Sequence, residues 1–127
     1  MKKYIVLITA LLLVCTLLGC NNVTVTKGTA TISFVHNELN IYQILTDEEV
    51  DTIVRIFDGN KLFSDSPECS FSEEISIKIG DSVYAIARDE CPIVWDCKSG
   101  QYFRISDEQR AEIIAIFGKY GGYFPCL

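Results

Sequence analysis

Six cysteines and one histidine are the side chains of this 127-residue chain best suited to chemistry. A cysteine nucleophile needs a depressed pKa and a base nearby, most often histidine. His36 is the only histidine, and it stands in the polar run His36-Asn37-Glu38, which reads as a turn. No serine lies in a Gly-x-Ser-x-Gly setting, and no glycine-rich phosphate loop occurs. Zinc sites bring their ligands in closely spaced pairs, and the chain has no Cys-x-x-Cys. Carboxylates can work in pairs, as in glycoside hydrolysis. The richest clusters, Asp47-Glu48-Glu49 and Asp107-Glu108, stand where two helices begin, and capping already accounts for them there. Asp89, Glu90 and Asp96 are loop acids that could meet a cation, but the alternating oxygen pattern of a calcium loop is missing. The expectation is a chain that is not an enzyme and takes no cofactor or metal, with a carboxylate-based hydrolase as an alternative.

The N-terminus gives the clearest address. Lys2 and Lys3 form a positive head, and Tyr4 to Leu18 is a 15-residue run without charge. A bilayer-spanning helix needs about 20 residues, so this is the length of a secretory signal. The run closes on Leu17-Leu18-Gly19-Cys20 rather than on an Ala-x-Ala end. That tetrapeptide resembles the lipobox of bacterial lipoproteins. The resemblance implies cleavage before Cys20, a diacylglyceryl thioether on its sulfur and often an acylated amino terminus. It covers residues 1–20 only. An uncleaved single-pass anchor is the other reading. Two or more acyl chains give stable anchoring, at about 0.8 kcal/mol per buried CH₂.

Removal of residues 1–19 leaves 108 residues, one modest domain, and the net charge moves from −6 to −8 as Lys2 and Lys3 are lost. Such acidity disfavours nucleic acid and repels anionic headgroups, so the lipid must do the tethering. Four cysteines then remain, Cys69, Cys91, Cys97 and Cys126, and an even number in an exported domain reads as two disulfides with three pairings open.

The elements that must position these groups follow from periodicity. Asn21 to Gly28 is polar and Thr-rich and is expected as a tether leaving the membrane, or as a segment that joins the first strand. Thr29–Val35 and Leu39–Leu45 read as a hairpin. Thr46-Asp47-Glu48-Glu49 is a capping box before an apolar stripe of Val50, Ile53, Val54 and Phe57. After a loop over residues 61–70, alternation from Phe71 to Ile79 meets Gly80-Asp81, a two-residue turn, and Val83–Asp89 returns. That turn sets Ile79 against Ser82, Ile77 against Tyr84, Ile75 against Ile86 and Glu73 against Arg88. Extended, it brings Cys69 beside Cys91 and leaves Cys97 for Cys126. Gln101–Ile105 is a further strand, and Ser106-Asp107-Glu108-Gln109 is a second capping box. The two strand-to-helix blocks align at an offset of 60, with Tyr42, Thr46 and Phe57 recurring as Tyr102, Ser106 and Phe117. An internal repeat and the general likeness of capped helices both account for this.

The expected fold is therefore α+β: an antiparallel sheet of about five strands with two helices on one face and the other face open. The domain is expected over 29–127, after a lipidated tether over 20–28. Trp95, Tyr102, Tyr120, Tyr123 and Phe124 concentrate in the last third and read either as a binding surface or as core filling beneath the helices. The functional expectation is a membrane-anchored lipoprotein at the exported face. Its disulfide-braced domain would bind a protein or ligand at the cell envelope, or act as an immunity or inhibitor protein against a basic effector.

Overall fold

The structure is a computed structural model and describes residues 21–124. Among the described residues, six strands and two helices follow one another: β1 (Ala30–His36), β2 (Leu39–Ile44), α1 (Asp47–Phe57), β3 (Ser76–Ile79), β4 (Ser82–Ile86), β5 (Ile93–Asp96), β6 (Gln101–Arg104) and α2 (Asp107–Lys119). The strands form one sheet in the order β2-β1-β3-β4-β5-β6, antiparallel throughout. The class is α+β as expected, with six strands rather than five. The additional strand is β5. Its Ile93 and Val94 are both buried, so it shows no polar alternation to mark it in the sequence.

Turn chemistry fixes the registers. Asn37 and Glu38 join β1 to β2 with φ of 50° and 65°, the handedness that a two-residue hairpin turn requires. Gly80, at φ 57°, opens the β3–β4 turn, and Ile79 faces Ser82 while Ile77 faces Tyr84. The Ile86 amide donates to the Ile75 carbonyl at 3.0 Å, so that register runs one pair further. There it stops. The Ile75 amide turns back to the Ser72 carbonyl and the Ser76 hydroxyl donates to the Glu73 carbonyl, so the chain loops out over residues 72–75. The Arg88 amide meets the Ser70 carbonyl instead, and the expected pairing of Glu73 with Arg88 does not form.

Both helices open on reciprocal caps. The Glu49 amide donates to the Thr46 hydroxyl (3.2 Å) and the Thr46 amide to the Glu49 carboxylate (2.9 Å). Ser106 and Gln109 repeat the exchange at 3.0 and 2.9 Å. The helices pack on one face of the sheet. Phe57 of α1 lies against Tyr84 and Phe103, and Phe117 of α2 against Phe34. Phe57 thus lies over β4 and β6, and Phe117 over β1. Full burial of side chains such as Phe57, Phe103 and Phe117 contributes about 1.5–3 kcal/mol each.

The strand order has a quasi-two-fold axis normal to the sheet between β3 and β4. It exchanges β2 with β6, β1 with β5 and β3 with β4, and the antiparallel alternation keeps every direction consistent. The architecture is strand–strand–helix twice, with the β3–β4 hairpin between.

Two expectations are corrected. Residues 21–25 are no free tether: Val23 and Val25 are buried, because this Thr-Val alternation pairs with the segment after α1. The Val23 amide donates to the Asn60 carbonyl at 2.8 Å, the Gly59 amide to the Val23 carbonyl at 2.8 Å and the Leu62 amide to the Asn21 carbonyl at 2.9 Å. The face away from the helices is also not open throughout. Residues 61–75 run along β6, where Phe63 exchanges amides with Tyr102 at 2.8 and 2.9 Å, and then cross β5 and β6 with Phe71 against Trp95 and Tyr102. Ala85 and Ala87, on this face of β4 and just beyond it, are fully buried.

Candidate functional site

The cysteines divide. Cys69 and Cys91 are joined as a disulfide with Cα atoms 6.0 Å apart, which pins the covering segment to the β4–β5 connection. Asp89 organises that corner: its carboxylate accepts the Ser70 and Cys91 amides, both at 3.1 Å. Cys97 is half-buried and has no disulfide partner among the described residues. Burial, with the nearby Glu73 charge, pushes its pKa to about 11, far from the thiolate a nucleophile needs. Its expected partner Cys126 lies outside the described residues, as does the expected lipidation residue Cys20.

The five aromatic residues proposed as a binding surface do not come together. Trp95 and Tyr102 lie half-buried under Phe71 and Phe63 on the face away from the helices. Phe124 packs edge-on against Phe117, with the Arg110 guanidinium over its ring. Tyr120 donates its hydroxyl to the Glu49 carboxylate at 2.6 Å and so ties the end of α2 to the start of α1. Glu49 is only 8 % exposed. Burial alone would raise its pKa, but hydrogen bonds from Tyr120 and from Thr46, with the Lys119 charge 3.5 Å away, hold the carboxyl below its ordinary value. Of the five, only Tyr123 is exposed as a large apolar surface.

The remaining acidic clusters serve local structure. Asp47 and Glu48, like Asp107 and Glu108, sit in the first helical turn. Asp96 accepts the Lys98 amide at 3.1 Å in the β5–β6 turn.

The exposed apolar residues lie elsewhere, and periodicity alone could not have found them. Among the described residues Val35, Leu39, Tyr42, Ile44 and Tyr123 are the large ones, and three of them belong to β2. Tyr42 and Ile44 share the face away from the helices with Thr31 and Ser33, their partners on β1. The pairing assigns the edge chemistry. The Leu45 amide donates to the Ala30 carbonyl at 2.9 Å, so the hydrogen-bonded pairs are those of even-numbered β1 residues. The amides and carbonyls of Asn40, Tyr42 and Ile44 consequently point away from the sheet. No strand pairs with this edge among the described residues.

Beside the edge, a groove of about 500 Å³ runs over the same face, lined by Thr31, Ser33, Tyr42, Glu73, Glu74 and Lys78. At the hairpin end, Val35, Glu38 and Tyr123 border a second hollow of about 310 Å³. The whole region combines a strand edge that no other described strand covers, uncharged along β2 and with the Ile44 carbonyl accepting the Gln43 side-chain amide at 2.9 Å, with a flank where Glu38, Glu73 and Glu74 stand beside Lys78 and Arg88.

Comparison with protein-family models, with curated proteins and with solved structures found no match.

Proposed function

We propose that the chain is an exported lipoprotein, held to the membrane through Cys20, whose domain binds a protein partner at the cell envelope by accepting an added strand on β2. The observation that carries this reading is the difference between two equivalent edges. Under the quasi-two-fold, Tyr42 corresponds to Tyr102. Tyr102 is half-buried because Phe63 pairs with it through the backbone and stacks on its ring at 5.8 Å. Tyr42 has no such cover and is 68 % exposed. The fold itself thus displays the kind of segment that fits: an extended strand with an aromatic or large apolar residue opposite the tyrosine. Strand addition draws affinity from main-chain hydrogen bonds and specificity from alternate side chains. Glu38, Glu73 and Glu74 outnumber Lys78 and Arg88 in the two hollows and so favour a segment that is basic at its flank, as an inhibitor or immunity lipoprotein facing a basic effector requires.

A photo-crosslinking residue at Tyr42 or Ile44, in intact cells, tests the reading. The expected result is one stoichiometric product that is absent when the same residue replaces Glu48, on the exposed start of α1. The product should disappear with Ile44→Lys or Tyr42→Lys, while the melting temperature holds, since an exposed edge substitution changes stability by at most about 0.5 kcal/mol. Crosslinking that is equal at positions 42 and 48, or indifferent to the lysine variants, would refute the β2 site. Membrane fractionation of Cys20→Ala tests the anchor separately.

A further inference from the structure

The docking of residues 21–25 has a consequence for how the domain meets a bilayer. From the anchoring of Cys20 proposed above, we infer that the domain stands on the membrane by its β6 edge, with no spacer, and holds the β2 edge away from the lipid. Cys20 is one peptide bond, about 3.8 Å between Cα atoms, from Asn21. Asn21 is already fixed, because its carbonyl accepts the Leu62 amide at 2.9 Å, and Asn22 bridges to Lys61. Two residues on, Phe63 pairs outside β6. An acylated Cys20 therefore brings Asn21, Asn22, Lys61 and Phe63 to within a residue or two of the headgroups.

The charge of this edge suits a lipid surface. Arg104 lies over the Phe63 ring, and with the exposed Lys61 it offsets Asp58 and Asp65, in a chain that is otherwise strongly acidic. The far edge is remote. Phe63 and β2 are separated by six strand spacings of about 4.8 Å, or roughly 29 Å. Asn40, Tyr42 and Ile44 then face away from the bilayer, where a partner strand could reach them.

The acylated mature protein, reconstituted in vesicles that include phosphatidylcholine with a nitroxide on its headgroup, tests this orientation. Phe63→Trp and Tyr42→Trp, each in a Trp95→Phe background, report the two edges by fluorescence quenching. Headgroup quenching at position 63 is expected to exceed that at position 42 by about twofold or more, given the separation of the edges. Equal quenching, or stronger quenching at 42, overturns the orientation. An eight-residue Gly-Ser insertion between Cys20 and Asn21 should abolish the difference while the protein stays bound, and a difference that survives the insertion overturns the role of the short anchor. Amide exchange of the protein with its own Trp95 gives a second reading: vesicles should slow exchange over 59–63 more than over 39–44, and the reverse overturns the proposal. An unacylated Cys20 would instead refute the anchoring reading, and the orientation with it.

Discussion

Removal of the Cys69–Cys91 bridge is the most informative perturbation of the domain. The bond joins residues 22 apart in sequence. Closing a loop of that length in the unfolded chain removes about 11 cal/mol/K of entropy, which corresponds to about 3.4 kcal/mol at room temperature. For a domain of this size a loss of 1 kcal/mol lowers the melting temperature by about 4–8 °C, so the double variant Cys69→Ala/Cys91→Ala is expected to melt roughly 14–27 °C lower. Calorimetry of both proteins measures the loss. The variant should also respond locally. The bridge holds the segment that brings Phe71 against Trp95, and Trp95 is the only tryptophan. Its emission should shift to the red and become more accessible to acrylamide before the helices unfold. Reduced wild-type protein should behave like the variant. A melting temperature within a few degrees of wild type, or Trp95 emission that is indifferent to the bridge, would refute the account of residues 61–75 as a cover held in place by the disulfide.

Three further outcomes are expected. Val23→Ala removes two buried methyl groups at about 0.8 kcal/mol each, before any cavity cost, and a urea titration should show a loss of about 2 kcal/mol if residues 21–25 belong to the domain. Glu49 has its pKa lowered in the folded state, so it contributes stability that is present above the ordinary carboxylate value and lost as pH falls through the lowered folded value. The urea midpoint of wild type should therefore fall more steeply between neutral pH and pH ~3 than that of Glu49→Gln. Cys97, with its pKa near 11, should react with iodoacetamide far more slowly at pH ~8 than an ordinary thiol, and rapid alkylation of Cys97 in the folded protein would contradict its burial.

Much of the frame was legible because local signals agreed. Thr46 and Ser106 each announced a capping box, and both boxes are formed. Gly80 set a register that placed Ile77 against Tyr84, whereas the Cys69–Cys91 bridge forms although that register, from which it was expected, ends at Ile75. The misreadings occur where a partner far along the chain decides the outcome. Val23-Thr24-Val25-Thr26 alternates like a strand, but only its pairing with residues 58–62 shows that it is docked. Phe71 to Glu74 also alternates, yet it folds outward, because Phe71 finds Trp95 and Tyr102 on the neighbouring strands. The same holds for the binding surface. Tyr42 and Tyr102 look alike in sequence, and only the extended segment around Phe63 separates the covered one from the exposed one.

The connectivity of the sheet also orders its assembly. Four of the five strand pairings join consecutive strands, and these hairpin-like contacts have low contact order and can form early. The pairing of β1 with β3 is different, since it joins residues as far apart as Ala30 and Ile79. The pairing of residues 21–25 with 58–62 is likewise non-local, joining Val25 to Asp58 and Asn21 to Leu62 across the whole of α1. The segment that carries Val23 and Val25 is therefore expected to be among the last to find its place, and the two valines stay accessible to proteases until then.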